Sequence, residues 1–257
     1  MSSSQLTASV YTGVPYARAV PLRAILFDLG DTLIRLDPYP ADVAPRLSQR
    51  LQEAGGIARA AAPALATALL ETWQAAHASA RIDPAWVEVD EPAVVGQVLR
   101  VNGLRLSGHA VDSIADVFGE ADVSRFKAIP DRFALLRELR ASGLKLGIVS
   151  NTSSRGPLLT AYLEQIGIRP FFDVIIYSRE TRVRKPHDAI YTAALVALDV
   201  AAEEALFVGD RLREDVQGPL RLGMRAALTH EFRQDDPGDV GGFAVIPNLE
   251  ALLTLIR

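Results

Sequence analysis

With 257 residues, 49% of them hydrophobic, the chain is long enough for one large domain or for a domain carrying an inserted second one. Lys and Arg number 27 against 31 Asp and Glu, and the formal net charge of −4 supplies no global positive field for nucleic acid or an anionic membrane. Cysteine is absent, which excludes disulfides, thiolate metal sites and a cysteine nucleophile and suits a cytoplasmic protein.

Residues 1–20, MSSSQLTASVYTGVPYARAV, have neither the charged start nor the apolar stretch of a signal peptide and read as a flexible polar arm. RAILF then forms a short apolar strand that stops at Asp28 and runs on through Leu29-Gly30-Asp31-Thr32. From Pro38 to Ala128 the pattern changes to long amphipathic stretches such as VAPRLSQRLQEAG and APALATALLETWQAAHASA. Charges interrupt each of them before the ~18 apolar residues that a membrane span needs. Pro38, Pro40 and Pro130 punctuate the two ends. Residues 38–128 are therefore expected to be a helical domain inserted into a core made of 21–37 and 129–257.

From Leu144 onward short apolar runs alternate with helical patterns: LKLGIVS and PLLTAYLEQIG, DVIIYS and HDAIYTAALVALD, ALFVGD and EDVQGPLRLG, then MRAALT and FAVI before NLEALLTLI. The alternation predicts β-α units on a mostly parallel sheet, and the absence of a polar face on the runs predicts helices on both sides of it. Gly143, Gly167 and Gly223 stand where helices should stop, and Asn248 where one should be capped.

Ligands of open α/β sheets bind beyond the carboxyl ends of the strands. Four such ends are polar here: Asp28, Ser150-Asn151, Lys185 in the loop VRKPHD, and Asp210 with Asp215. Taken singly, each has an ordinary reading as a cap, a turn residue or a solvated lysine. Together they place an acid, a hydroxyl, a lysine and an acid pair on one rim. Such a rim supports phosphoryl transfer through an aspartyl phosphate. A hard cation such as Mg²⁺, held by Asp28 and Asp210, would relieve the repulsion between carboxylate and phosphate. Lys185, Ser150 and Asn151 would neutralise the phosphate oxygens.

In this order FDLGDTL, IVSN, RKP and VGDRLRED resemble the four motifs of the haloacid dehalogenase superfamily, across residues 23–216. The resemblance implies a Rossmann-like, mostly parallel α/β core with an inserted α-helical cap domain, and a Mg²⁺-dependent phosphatase acting on a small phosphorylated substrate. It makes Asp28 the nucleophile and a metal ligand, the Gly30 carbonyl a second ligand, and Asp210 the residue that completes the metal site. Ser150 and Asn151 would bind phosphate and Lys185 would bridge nucleophile and phosphate. Asp215 would act on the metal indirectly, through bound water or by holding Lys185.

One position departs from that pattern. Phosphatases of the superfamily carry a second aspartate two residues after the nucleophile, as general acid and base, where this chain has Gly30. Asp31 is the substitute at hand, or else a turn residue, with the Thr32 hydroxyl tying the same turn. Gly30 itself suits a positive φ or a close backbone approach. His187 and His230 are alternatives for facing the site, while His77, His109, Arg81, Trp86 and Arg125 fall in the inserted block without a distinguishing pattern. Two other functions stay open: a metal-independent 2-haloacid dehalogenase, whose relatives also lack the second aspartate, and a weakly active or regulatory phosphate-binding protein. No GxxxxGKS/T or GxGxxG follows a strand, which argues against a P-loop or dinucleotide site. No nucleic-acid or membrane partner is expected, and monomer and homodimer stay equally open.

Overall fold

The apolar run Ala24–Phe27 forms β2, every residue buried, in the interior of a seven-stranded sheet. A computed structural model describes residues 9–11, 20–238 and 240–256. Beside β2 lie β5 (Lys145–Ser150) and then β6 (Val174–Tyr177) on one side. On the other side lie β7 (Ala205–Gly209), β8 (Arg225–Thr229) and β9 (Phe243–Ile246). These six strands run parallel, and β1 (Ser9–Tyr11) closes the edge antiparallel to β9. Part of the expected N-terminal arm is thus an edge strand, while residues 1–8 and 12–19 lie outside the described residues.

Period-two alternation explains the apolar runs, because successive side chains leave opposite faces of the sheet. Ile25 and Phe27 join Leu146, Ile148, Leu206 and Val208 in one core layer, against α5 (Arg132–Ala141) and α6 (Gly156–Gln165). Ala24 and Leu26 join Val149 and Phe207 in the other layer, against Ile190, Tyr191 and Ala194 of α8 (Asp188–Leu198). A single turn, α7 (Ser178–Thr181), follows β6.

Between β3 (Ile34–Leu36) and β4 (Phe126–Ala128) stand α1 (Val43–Glu53), α2 (Ala62–Ala80), α3 (Glu91–Val101) and α4 (Gly108–Ser124). They bury a hydrophobic cluster of their own, with Val43, Leu47, Leu69, Val95, Ile114 and Phe118. Asp90 and Ser107 cap α3 and α4 by accepting the Ala93 and Ala110 amides. β3 and β4 pair with each other, Ile34 opposite Ala128 and Leu36 opposite Phe126, so the chain enters and leaves the helical block through one two-stranded ribbon. Among the described residues no helix is long and apolar enough to cross a membrane.

Candidate active site

The strand ends converge where β2 stands between β5 and β7, a position at which the chain order across the sheet reverses. Asp28 continues the ladder through its amide, which donates to the Val208 carbonyl at 2.9 Å. The chain then turns at once, because the Leu33 and Ile34 amides both bond the Leu29 carbonyl. The left-handed backbone of this turn falls on Asp31, with φ 53°, and not on Gly30. Asp31 Oδ1 accepts the Leu36 amide at 2.9 Å, so that carboxylate closes the turn. Gly30 answers a different need: a Cβ there would lie 2.7 Å from Leu36 Cδ1. The Thr32 hydroxyl does not tie the turn as expected. Its Oγ1 is buried without a hydrogen-bond partner, since Leu29 already takes the available amides.

Lys185 is 2% exposed, and its Nζ donates to Asp28 Oδ1 at 2.6 Å and to Asp215 Oδ1 at 2.7 Å. Burial works against the ammonium, but the carboxylates of Asp215 and Asp28 outweigh it and push its pKa up to about 12. Asp215 Oδ2 accepts the Arg211 amide at 3.0 Å. Gly209 makes room for this packing, because a Cβ there would stand 2.3 Å from Asp215 Cγ.

Asp28, Asp210 and Asp215 each bring a carboxylate oxygen to within 4.8 Å of the others. Asp210 is 1% exposed and its Oδ1 has no hydrogen-bond partner. Burial, with the charges of Asp28 and Asp215, drives its pKa well above the usual carboxylate range. An unpartnered buried oxygen among three hard carboxylates fits a small divalent cation.

Ser150 ends β5 at the rim, and Asn151 follows it. The Asn151 side chain holds the Lys185 backbone at both ends: Oδ1 accepts the Lys185 amide at 2.7 Å and Nδ2 donates to the Lys185 carbonyl at 3.0 Å. All four sequence motifs are therefore brought together. Asp28, Gly30, Asp31, Ser150, Asn151 and Lys185 line one cavity of about 440 Å³.

The far wall of that cavity comes from the helical block. Trp73, His77 and Arg81 stand at i, i+4 and i+8 along α2 and just past its end, so one helical stripe faces the cavity. That spacing was visible in the sequence, but nothing marked it as more than packing. Burial, then the Arg184 and Arg81 charges, lowers the His77 pKa to about 3, so its ring is neutral near pH 7. Arg125 lines the cavity as well, whereas Trp86 packs under the Arg213 guanidinium at 4.7 Å. His187 caps α8 by accepting the Ala189 amide, His230 Nε2 faces the Asp235 carbonyl, and His109 is exposed at the start of α4.

Residues 86–88 bind the helical block to the lysine loop. Arg184 donates its amide to the Trp86 carbonyl at 2.7 Å, and the Glu88 amide donates to the Arg182 carbonyl at 3.0 Å. The Arg184 guanidinium pairs with buried Glu88 at 2.5 Å, one residue from Lys185.

Known proteins share this fold. Residues 22–223 match the family model of the haloacid dehalogenase-like hydrolases. A glyceraldehyde 3-phosphate phosphatase of Methanopyrus kandleri is 32% identical over 206 residues, 79% of this chain and 82% of that protein. A ribulose-1,5-bisphosphate 5-phosphatase of Halopiger xanaduensis is 30% identical over 124 residues, 48% of this chain, and the match spans 51% of that protein. The crystal structure of a 2-haloacid dehalogenase from Pseudomonas syringae pv. Tomato DC3000 shares the fold, with TM-score 0.63 and 21% identity over 91% of this chain and 99% of that one. The chain belongs to the haloacid dehalogenase-like hydrolases.

Proposed function

We propose that the protein is a Mg²⁺-dependent phosphomonoester hydrolase that acts on a small phosphorylated metabolite through an aspartyl phosphate on Asp28. The observation that carries this reading is the buried, unpartnered Oδ1 of Asp210 within a cluster of three carboxylates. Asp28, Asp210 and the Gly30 carbonyl would hold the ion and Asp215 would act on it indirectly, and the ion when bound would offset the charge of the phosphate dianion facing a carboxylate.

Asp28 attacks phosphorus through the oxygen that Lys185 does not engage. The bond from phosphorus to the leaving oxygen breaks as the bond to Asp28 forms, and water then cleaves the acyl phosphate to release inorganic phosphate and restore Asp28. Lys185, fixed on Asp28, sets a positive charge beside the transferred group. The Ser150 hydroxyl and the remaining N–H of Asn151 complete the phosphate contacts. Residues 38–128 serve as a cap that supplies Trp73, His77 and Arg81 to the cavity wall and limits substrates to small molecules. The absence of cysteine supports a cytoplasmic setting.

Initial rates on p-nitrophenyl phosphate with Mg²⁺, and after complete chelation, test the reading. Loss of activity on chelation and its recovery with Mg²⁺ are expected. Activity that survives chelation overturns the metal-dependent scheme, and halide release from 2-haloacids under those conditions would establish the dehalogenase instead. Gly30 favours a second reading on one point: with no acid two residues after Asp28, slow turnover of poor leaving groups would suit a weakly active or regulatory phosphate-binding protein.

A further inference from the structure

The cavity has a second cationic pole that the phosphoryl chemistry leaves unused. Arg81 follows α2, Arg184 precedes Lys185 and Arg211 follows Asp210, so three separate segments bring an arginine to the lining of the same cavity. Only Arg184 has an ionic partner, Glu88. Among the described residues, the side chains of Arg81 and Arg211 make no hydrogen bond or salt bridge. Arg211 and Arg184 lie close enough to Arg81 for their charges to oppose its own. Glu214 attracts both Arg81 and Arg211 but forms its salt bridge with Arg213 at 2.8 Å, and Asp122 pairs with Arg125 at 3.6 Å. Arg211 also feels the attraction of Asp210 and Asp28, so it belongs to the reaction centre as well as to the arginine cluster.

Like charges that converge with one ion pair among them repel one another, and an anion that bridges them offsets the repulsion and gains charge-assisted hydrogen bonds. Lys185 is held by Asp28 and Asp215 and Arg211 is attracted by Asp210 and Asp28, whereas the charges that act on Arg81 are mostly those of other arginines.

We propose that Arg81, Arg184 and Arg211 bind a second anionic group of the substrate, so that the enzyme acts on small phosphomonoesters carrying a carboxylate or a second phosphate remote from the scissile bond. The proposal rests on the phosphatase reading for the reacting end and on the arginine cluster for the other end. A cavity of about 440 Å³ suits a compact dianionic or trianionic molecule of this kind.

Two matched substrate pairs test it with the full chain and Mg²⁺. One pair is 3-(phosphonooxy)propanoate and its amide, and the other is propane-1,3-diyl bisphosphate and 3-hydroxypropyl phosphate. The wild type is expected to prefer the charged member of at least one pair by tenfold or more in kcat/KM, and the pair that responds identifies carboxylate or phosphate. Arg81→Gln and Arg211→Gln should each reduce that preference ratio by about tenfold. Equal kcat/KM within both pairs, or variants that keep the preference, overturn the proposal while leaving the phosphatase reading intact. Calorimetric binding of 3-phosphonopropanoate against its amide separates the two readings independently of turnover. If no phosphate ester is hydrolysed but the acid binds more tightly in an Arg81-dependent way, the phosphatase reading falls and the anion subsite stands.

Discussion

Asn151 and Lys185 hold each other through two hydrogen bonds, with the Lys185 amide on Asn151 Oδ1 at 2.7 Å and Asn151 Nδ2 on the Lys185 carbonyl at 3.0 Å. The side chain after one strand thus fixes the backbone of a residue 34 positions on. Asn151→Ala removes both bonds and frees the lysine loop. Two neutral hydrogen bonds contribute roughly 1–3 kcal/mol together, so kcat on p-nitrophenyl phosphate should fall about 10- to 100-fold. Asn151→Asp keeps the acceptor for the Lys185 amide but sets a carboxylate against the Lys185 carbonyl and the phosphate, and should lose at least as much as Asn151→Ala. Wild-type kcat in Asn151→Ala would show that these two bonds do not position the lysine loop.

Lys185 and its two carboxylates separate catalysis from stability. Lys185→Met leaves Asp28 and Asp215 facing each other in a buried site without their cation, and should destabilise the fold by about 3–5 kcal/mol. Asp28→Asn keeps a neutral acceptor at the same place and should fold normally. It should nevertheless lose turnover about 10³-fold or more and trap no acid-stable phosphoenzyme from labelled substrate. Wild-type turnover in Asp28→Asn would place the nucleophile elsewhere.

The sheet was legible because each strand is an apolar run bounded by turn residues, and RAILF, LKLGIVS and ALFVGD became β2, β5 and β7. The near wall of the site was legible for the same reason: Asp28, Ser150 and Asp210 sit at strand ends, where chain direction alone decides which rim they share. The far wall was not. Trp73, His77 and Arg81 form a stripe that could equally pack a helix pair, and only the path of the chain through the β3–β4 ribbon turns that stripe toward Asp28. Arg184 and Arg211 each adjoin a recognised residue, but which way a side chain faces after a strand depends on local backbone that periodicity does not reach. The turn after β2 shows the same limit, since the positive φ expected of Gly30 belongs to Asp31.

Gly30→Asp tests the missing proton donor. The new Cβ would meet Leu36 Cδ1 at 2.7 Å, the far end of a flexible side chain, and the backbone at Gly30 is not left-handed. Pairing Gly30→Asp with Leu36→Ala makes the space. General acid catalysis contributes about 10²–10⁴-fold at its best, and it acts on poor leaving groups. The double variant should therefore raise turnover of an alkyl phosphate by roughly tenfold or more relative to Leu36→Ala alone, and change p-nitrophenyl phosphate little. An unchanged alkyl-to-aryl ratio would show that proton delivery at this position does not limit the enzyme.

Glu91 links the cavity wall to pH. Its carboxylate is 3% exposed, and Oε1 accepts from Ser153 Oγ at 2.7 Å and from Trp73 Nε1 at 3.2 Å. Burial raises its pKa to about 7 despite those hydrogen bonds and the nearby charge of Arg179. The folded protein thus holds a proton on Glu91 that the unfolded chain releases near the ordinary value of 4.5. The associated stability is complete below that value and is lost as pH rises through about 7, a fall of about 3 kcal/mol. His77, whose Nε2 lies 3.2 Å from Ser153 Oγ, acts in the opposite sense. Its pKa is lowered from 6.5 to about 3, so its contribution is lost as pH falls. The two effects oppose each other between about pH 4.5 and 6.5 and hide one another in the wild-type curve. Glu91→Gln keeps an acceptor for Ser153 and Trp73 and removes the titration together with the charge that faces Arg179 at 3.7 Å. The unfolding free energy of the wild type minus that of Glu91→Gln, from denaturant titrations at successive pH values, should therefore decrease from pH 4.5 to 7.5 while the His77 contribution cancels. A difference that stays constant over that range would show that Glu91 is not held protonated by its burial.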